Sequence, residues 1–380
     1  MKELIKKYLD EVIELNNDLS DYPEIGSEEF ESSKKIVELL RKYGIEVEYP
    51  FLEMPTAFRG IINKGEKHKA AILVEYDALR GIGHACGHCA SAAISVLSAL
   101  VLNEIRDEIP AEIHIIGTPD EEMRGGKVPM VNAGIFDDMD FAIMMHMSNS
   151  NVVYSGSLAL NAYKIEFHGK PAHAASIPWE GRNALNAARL FLDSVDMMRQ
   201  HVKDDVRLHG YIENGGDASN TVPHYVSIEM LVRAKDREYL DEVSAWVKDC
   251  VTGAALATRT SFTISEIGEK YDGLRRNKAG EEVLVELYKE LRLPLIDMSD
   301  KTGGSSDIGN VSQRTAAFHP YISIGGELYA HTEEFAQAMK SQQNYKAIEN
   351  GGELLAKFVR DVYKSEDILD KIKAEFNKKE

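Results

Sequence analysis

Residues 70–102 read AAILVEYDALRGIGHACGHCASAAISVLSALVL, and this stretch decides the predicted fold class. Its first eight residues form the nearly apolar run typical of a strand buried on both faces. The loop ALRGIGHACGH follows, and the remaining CASAAISVLSALVL is apolar enough for a buried helix. A buried strand that leads through a loop into a buried helix is the unit from which parallel sheets are built.

The flanking sequence repeats this alternation. AEIHIIGTP, DFAIMMHM and YISIGGE are predicted strands, and a long helix is expected from about Thr332. Between residues 158 and 276 the order changes to βαββαβ, the ferredoxin-like unit. We therefore predict an α/β catalytic domain with a doubly wound, largely parallel sheet, formed by residues 1–157 and 277–380, with residues 158–276 inserted. The charged tail KSEDILDKIKAEFNKKE is expected to be loosely attached.

Composition and charge exclude several classes of protein. The 380 residues suffice for two domains, and a formal net charge of −18 argues against nucleic-acid and anionic-membrane partners. The N-terminal segment lacks the apolar core of a signal peptide, and the longest nearly apolar run, AAISVLSALVL, is too short to cross a bilayer. Three cysteines do not make a disulfide framework. We expect a cytoplasmic protein.

The segment Cys86–Gly87–His88–Cys89 allows two interpretations. It is either a dithiol redox pair or a metal-ligand segment in which Cys89 is only a neighbour. Both chemistries need a thiolate between a strand and a helix, so the local context leaves the choice open.

Polar residues elsewhere favour the metal interpretation. Ligands in open α/β folds bind beyond the carboxyl ends of the strands. Potential metal ligands follow four such positions: His84, Cys86 and His88; Asp120, Glu121 and Glu122; His146; His331. Taken singly, a histidine at a strand end is usually a core or surface residue, and paired acids usually mark a solvated helix start. Together they predict a metal centre in which one carboxylate binds metal and its neighbour takes a proton.

Several motifs occur in order and resemble one enzyme family: EYDAL, GIGHACGH, GTPDEE, MMHM, HGKPAHAASIPWEGRNAL, GGDASNTVP, TGGSSDIGNVS and AHT. Together they resemble the dinuclear metallopeptidases and amidohydrolases that include aminoacylases, carboxypeptidase G and carnosinases. The likeness is greatest to the amidohydrolase branch, with auxin-conjugate hydrolases and Xaa-Arg dipeptidase-like proteins. It runs from YPEIGSEEF near the N-terminus to AHT.

This resemblance implies a two-metal hydrolase. The implied ligands are Cys86, as a bridging thiolate, with His88, Glu122, His146 and His331. Glu121 would be the general base. The ions would be two divalent cations, zinc first, with manganese or cobalt as alternatives.

The end of the first strand departs from the wider family. Where that family has His-x-Asp, this chain reads Glu75-Tyr76-Asp77, so ligation passes to GHACGH. Asp77 would then orient a ligand histidine by bonding the ring nitrogen that faces away from the metal ion. Capping of the loop after the strand is an equal alternative.

In the inserted domain the resemblance gives His173 the role of an oxyanion donor in the partner subunit's site. A homodimer through the insertion follows. Asn220 and Arg233 would bind substrate, Arg233 through a carboxylate. Without the resemblance, these would be a surface histidine, a turn asparagine and a solvated arginine.

Two residues depart from the branch pattern. Cys89 stands where Asp or Asn is usual and could form a disulfide with Cys86, while Arg80 stands where Pro is usual. We expect an amidohydrolase that cleaves N-acyl amino acids or dipeptides. The alternatives are a catalytically silent metal-binding or assembly protein and a dithiol oxidoreductase, which would leave the acid pair and the distant histidines unexplained.

Overall fold

The computed structural model describes residues 1–302 and 304–378, with only the backbone of residues 299–302. Gly303 of the TGGSSDIGNVS motif and the last two residues of the tail lie outside the described part. The chain divides into two compact units, one formed by Met1–Gly156 with Leu274–Glu380 and the other by Ser157–Gly273.

The strands in chain order are β1 (Glu46–Glu48), β2 (Phe58–Ile62), β3 (His68–Val74), β4 (Ala111–Gly117), β5 (Phe141–Ile143), β6 (His146–Ser148), β7 (Ser155–Gly156), β8 (Ala159–His168), β9 (Arg207–Asn214), β10 (Tyr225–Ala234), β11 (Ser261–Glu266), β12 (Met298–Thr302), β13 (Ala316–Phe318) and β14 (Tyr321–Ser323).

The α-helices are α1 (Lys2–Asp21), α2 (Phe30–Lys42), α3 (His88–Glu104), α4 (Lys127–Asn132), α5 (Ala184–Met198), α6 (Arg237–Thr258), α7 (Lys278–Glu290), α8 (Ile308–Val311), α9 (Glu333–Ala338), α10 (Gln342–Lys364) and α11 (Glu366–Asn377).

A six-stranded sheet in the order β1-β2-β4-β3-β5-β13 forms the centre of the first unit. Its β4, β3, β5 and β13 run parallel, and the β1–β2 hairpin joins one edge antiparallel. Strand β3 is buried on both faces: Ile72 and Val74 pack in the core with α1, α3 and α10, whereas Ala71 and Leu73 pack with α4 and α8. This burial explains its unbroken apolar run and confirms the predicted doubly wound architecture.

The second unit has the order β8-α5-β9-β10-α6-β11. Its antiparallel sheet runs β11-β8-β10-β9, and α5 and α6 bury one face of it. The two ends of the unit lie side by side, because Leu160 and Tyr271 exchange backbone hydrogen bonds of 2.9 and 3.1 Å. The predicted ferredoxin-like order is therefore present.

Three expectations for individual elements were wrong. DFAIMMHM forms two strands, because the chain leaves β5 after Ile143 and re-pairs at His146 as β6 beside β14. The helix expected from Thr332 is divided into α9 and α10. The tail is not loosely attached: α11 buries Leu369 and Ile372 in the core of its unit.

Among residues 1–302 and 304–378, every helix is too short or too polar to span a lipid bilayer.

Close packing of α10 on α3 depends on glycine. A Cβ added at Gly352 would lie 2.6 Å from Cδ2 of Leu97, whereas a Cβ at Gly253, on the exposed side of α6, would meet nothing within 4 Å. We expect Gly253→Ala to raise the free energy of unfolding by about 0.5–1 kcal/mol through helix propensity. Gly352→Ala should lower it, since overpacking costs about 1–3 kcal/mol. Urea unfolding of both variants checks the two signs, and a gain at Gly352 would contradict the packing argument.

Candidate metal centre

The GHACGH loop joins the end of β3 to the start of α3 and carries two predicted ligands. Gly87, between Cys86 and His88, has φ +85°, and a Cβ there would lie 2.8 Å from Cβ of Met147. Only glycine meets both conditions without strain. His88 begins α3 with its side chain fully buried. The sharp turn at Gly87 thus brings the thiol of Cys86 and the imidazole of His88 close together.

Asp77 links this loop to the acid pair that follows β4. One carboxylate oxygen accepts a hydrogen bond from Nδ1 of His88 at 2.8 Å, and the other accepts from the backbone N–H of Glu122 at 2.9 Å. Because a carboxylate only accepts, Nδ1 of His88 is the donor, and Nε2 is the ring atom left for a metal ion. The predicted support of an imidazole by Asp77 is present as a hydrogen bond, and the second contact joins the loop after β3 to the loop after β4.

A strained turn positions Glu121 and Glu122. Asp120, just before them, has φ +63°, and its carbonyl accepts hydrogen bonds from the N–H groups of Gly125 and Gly126. The buried carboxylate of Glu29 accepts from the N–H of Asp120 at 2.7 Å. The turn is therefore fixed from both sides, as a strained conformation requires.

His146 and Cys86 meet at the start of β6. Nδ1 of His146 donates to the carbonyl of Met147 at 2.8 Å, so Nε2 carries the lone pair and lies 3.4 Å from Sγ of Cys86. Ligand atoms of Cys86, His88 and His146 lie within 4.8 Å of one another. Each histidine uses Nδ1 for a hydrogen bond to an acceptor, which leaves Nε2 as the ring atom available to a metal ion.

A second group shares the same cysteine. Ligand atoms of Cys86, Glu122 and His331 also lie within 4.8 Å of one another. His331 has φ +66°, and its N–H bonds the carbonyl of Ala85 at 2.8 Å, which ties the last predicted ligand to the GHACGH loop. Two groups with one common thiol are the arrangement expected of a bridged pair of ions.

The donor set fits divalent cations. Nε2 of His88 and Oε1 of Glu122 are buried and have no hydrogen-bond partner among the described residues. Buried polar atoms left in this state cost free energy unless a ligand satisfies them. Thiolate, imidazole and carboxylate together match zinc and admit manganese or cobalt.

The electrostatics of the site reflect crowding of acids in a buried volume. Burial raises the pKa of the Cys86 thiol, which a bound cation would reverse. Burial, followed by repulsion from Glu75 and Asp307, raises the pKa of Glu121 well above its ordinary value. Burial and the neighbouring His88 lower the pKa of His146 to about 4, so this imidazole is neutral at physiological pH and available as a ligand.

Three charged residues beside the site were not predicted. The Lys127 ammonium donates to Oε1 of Glu75 at 2.5 Å and to Oδ1 of Asp307 at 2.6 Å, and all three side chains are buried. Burial would raise the pKa of Glu75, but Lys127 outweighs it and lowers that pKa. The sequence held two signals: an acid directly after the apolar run of β3, and a lysine that opens the apolar helix α4.

One candidate ligand, His84, belongs to neither group of ligand atoms that shares Cys86. Its Nδ1 accepts the N–H of Cys89 at 3.3 Å. In the second unit, His173 and Asn220 lie on paired loops: His173 bridges Thr221, and the Asn220 carbonyl accepts the N–H of Ala174. Arg233 lies near the far end of β10, away from those loops. The roles of these three residues remain predictions.

The two thiols of the C-x-x-C segment lack the property that a redox pair needs. Cys86 and Cys89 are both free, and burial raises the pKa of Cys89 to about 12. Redox-active cysteines instead have thiol pKa values below the ordinary one. The metal interpretation is the one that the geometry supports.

A buried dinuclear donor set at the strand ends of an α/β sheet defines a metal-dependent hydrolase, and comparison with known sequences agrees. The profile of peptidase family M20/M25/M40 matches residues 67–361, and the chain belongs to this family. It is 34% identical over 340 residues to the Xaa-Arg dipeptidase of Mus musculus, covering 86% of this chain and 79% of that protein. It is 29% identical over 258 residues to the N-acetyl-L-cysteine deacetylase of Bacillus subtilis, covering 61% of each chain.

Solved structures show the same fold. An aminobenzoyl-glutamate utilization protein from Klebsiella pneumoniae superimposes with a TM-score of 0.75 at 19% identity, covering 95% of this chain and 98% of that one. A dinuclear metal-binding M20 peptidase from Bacillus subtilis gives 0.68 at 18% identity, covering 92% and 99%. The chain is accordingly a hydrolase of amide bonds.

The Asp77 junction is testable through metal affinity. We expect Asp77→Asn to weaken binding of zinc by roughly 10- to 100-fold, because the amide offers one acceptor oxygen to two donors. Asp140 provides a matched control at the other end of the sheet, where its carboxylate accepts from Nδ1 of His68 and the N–H of Lys69, both at 3.1 Å. Chelator competition should show unchanged zinc affinity in Asp140→Asn. Equal losses in both variants would refute a specific role for Asp77.

Proposed function

We propose that the protein hydrolyses the amide bond of N-acyl amino acids or dipeptides with two divalent metal ions, using Glu121 as the general base. One observation carries this proposal: two groups of ligand atoms share Cys86 and converge beside Glu121 and Glu122. The related Xaa-Arg dipeptidase and N-acetyl-L-cysteine deacetylase supply the substrate class.

The ligands are assigned to the shared groups: Cys86, His88 and His146 for one ion, and Cys86, Glu122 and His331 for the other. When bound, the two ions supply Lewis-acid polarisation of the substrate carbonyl and activation of water. Zinc is the proposed metal, because thiolate and imidazole suit it best. The free thiols agree with a reducing, cytoplasmic location.

Glu121 performs the proton transfers. Its carboxylate lies beside His88 and Glu122, with ligand atoms within 4.8 Å, so it borders the place where the reacting groups meet. It accepts the proton of the attacking water and delivers it to the nitrogen of the leaving amine. A carboxylate beside the ligand groups can take the proton in one step and return it in the next.

The substrate class is tested with zinc-loaded protein on paired compounds. Each dipeptide or N-acyl amino acid is compared with its C-terminal amide, and release of the free amine is measured. Turnover of the acids, its loss with chelator and its recovery with zinc support the proposal. Stoichiometric metal binding without turnover of any compound in the panel would favour a silent metal-binding protein instead.

Substitutions distinguish the proposed roles of Glu121 as general base and Glu122 as metal ligand. Glu121→Gln should retain both metal ions and lose about 100- to 10,000-fold in turnover, because an amide keeps the shape of the carboxylate but takes no proton. Glu122→Gln should instead lower metal content, since it removes a charged ligand. Elemental analysis and kinetics on the same preparations check both. Full metal occupancy in Glu122→Gln would exchange or overturn the two roles.

We also propose a homodimer joined through the second unit, in which His173 donates to the oxyanion in the partner subunit's site, Asn220 contacts the substrate, and Arg233 pairs with its carboxylate. Exposed apolar side chains on the helices of that unit, Met197 and Leu256 among them, support an interface there. Twofold dimers are the commonest symmetric assembly.

Mixed dimers test the role of His173. His173→Ala and Glu121→Gln should each be inactive, and together they should recover about a quarter of wild-type turnover after subunit exchange, since half of randomly paired dimers hold one intact site of two. Light scattering establishes the dimer, and labelled subunits establish the exchange. Demonstrated exchange without recovery, or an active monomer, would leave His173 a surface residue.

A further inference from the structure

Glu75 approaches the metal centre with an oxygen that the structure leaves unsatisfied. Its side chain is 1% exposed, and Oε2 lies 3.3 Å from Nε2 of His88. Neither atom has a hydrogen-bond partner among the residues that the structure describes. Nε2 is the same atom through which His88 would bind an ion, because Nδ1 already donates to Asp77.

The separation of these two atoms matches that of two ligands on one ion. Zinc lies about 2.0–2.2 Å from nitrogen and oxygen ligands, so a tetrahedral angle separates such ligands by roughly 3.3–3.5 Å. The pair formed by Sγ of Cys86 and Nε2 of His146, at 3.4 Å, has a comparable spacing and belongs to the same group of ligand atoms as His88. His88 therefore has a potential co-ligand in Glu75 as well as in that pair.

We propose that Glu75 is an additional ligand of the ion held by His88, and that Lys127 and Asp307 are positioning residues for its carboxylate. The inference rests on the metal centre of the proposed function. It adds a ligand that neither the strand-end pattern nor the resemblance assigns.

The charge network explains how Glu75 stays in place. Oε1 is fixed by the Lys127 ammonium at 2.5 Å, which leaves Oε2 directed at His88. Asp307 holds Lys127 twice, accepting from Nζ at 2.6 Å and from the backbone N–H at 2.9 Å. Metal-binding carboxylates are typically held by such a second hydrogen bond on the oxygen that faces away from the ion.

The proposal is tested by measuring the affinity of purified wild-type and variant proteins for each of the two ions. Wild-type protein is titrated with Co²⁺ and with Zn²⁺ against a competing chelator, and the visible spectrum of the cobalt form reports coordination. Glu75→Gln should weaken the binding of one of the two ions by roughly 10- to 100-fold and leave the affinity for the other nearly unchanged. It should also alter the visible absorption bands of the cobalt form. Glu112→Gln is the matched control, because this buried acid on β4 contacts Nε2 of His114 at 2.6 Å, outside the cluster.

A second variant distinguishes the loss of a metal ligand from destabilisation of the fold. Glu75→Gln leaves the buried Lys127 with one acid fewer, whereas the double variant Glu75→Gln/Lys127→Met removes both charges. The double variant should show the same loss of one ion while remaining folded by circular dichroism. Wild-type affinities for both ions in either variant would overturn the role of Glu75 and leave the proposed function standing. Failure of the wild-type protein to bind any ion would overturn both.

Discussion

The Asp77 carboxylate holds together the ends of two neighbouring strands, and the candidate metal centre depends on this junction. One oxygen orients the imidazole of His88, and the other receives the N–H of Glu122, so a single group sets the ligand and the acid pair. The strands beneath it are in parallel register, with Val74 opposite Gly117. The register of the sheet therefore fixes the distance between two loops that are far apart in sequence.

The second constraint is charge. Several carboxylates share a buried volume at this end of the sheet, and desolvated charge of one sign destabilises a fold unless it is balanced. Lys127 balances part of this negative charge through its ion pairs with Glu75 and Asp307. His146 and His319 do not contribute positive charge, because burial, first of all, lowers both of their pKa values. Divalent cations are the natural counter-charge for the side that faces the donor groups.

Much of this architecture follows from sequence periodicity. The apolar run that ends at Val74 and the βαββαβ order were sufficient to predict the two kinds of sheet. Elements with few apolar residues were not predictable: α11 buries only Leu369 and Ile372 fully, and hydrogen bonds such as that from Asn277 to the carbonyl of Ile372 help to hold it. The break between β5 and β6 was also hidden, because it is set by the strand that pairs with His146 rather than by a local signal.

Sheet topology was sufficient to predict which loops form the site but not which side chains contact each other there. Strand ends indicated which loops would meet, but side-chain partners across loops depend on packing. Lys127 illustrates the limit, since a lysine at the start of a helix is usually exposed and this one is fully buried between two acids. His84 shows the converse, because its place in the GHACGH motif did not bring its side chain into either group of ligand atoms.

The paired backbone of Leu160 and Tyr271 has an evolutionary consequence. A segment whose first and last residues lie side by side can be inserted at a single loop of the host domain without separating the residues that flank it. Ancestral hydrolases without residues 157–273 are therefore structurally conceivable, with Gly156 and Leu274 joined by a short turn. In such a lineage, the unit with the six-stranded sheet would be the older part of the molecule, and residues 157–273 would have been gained in a single insertion.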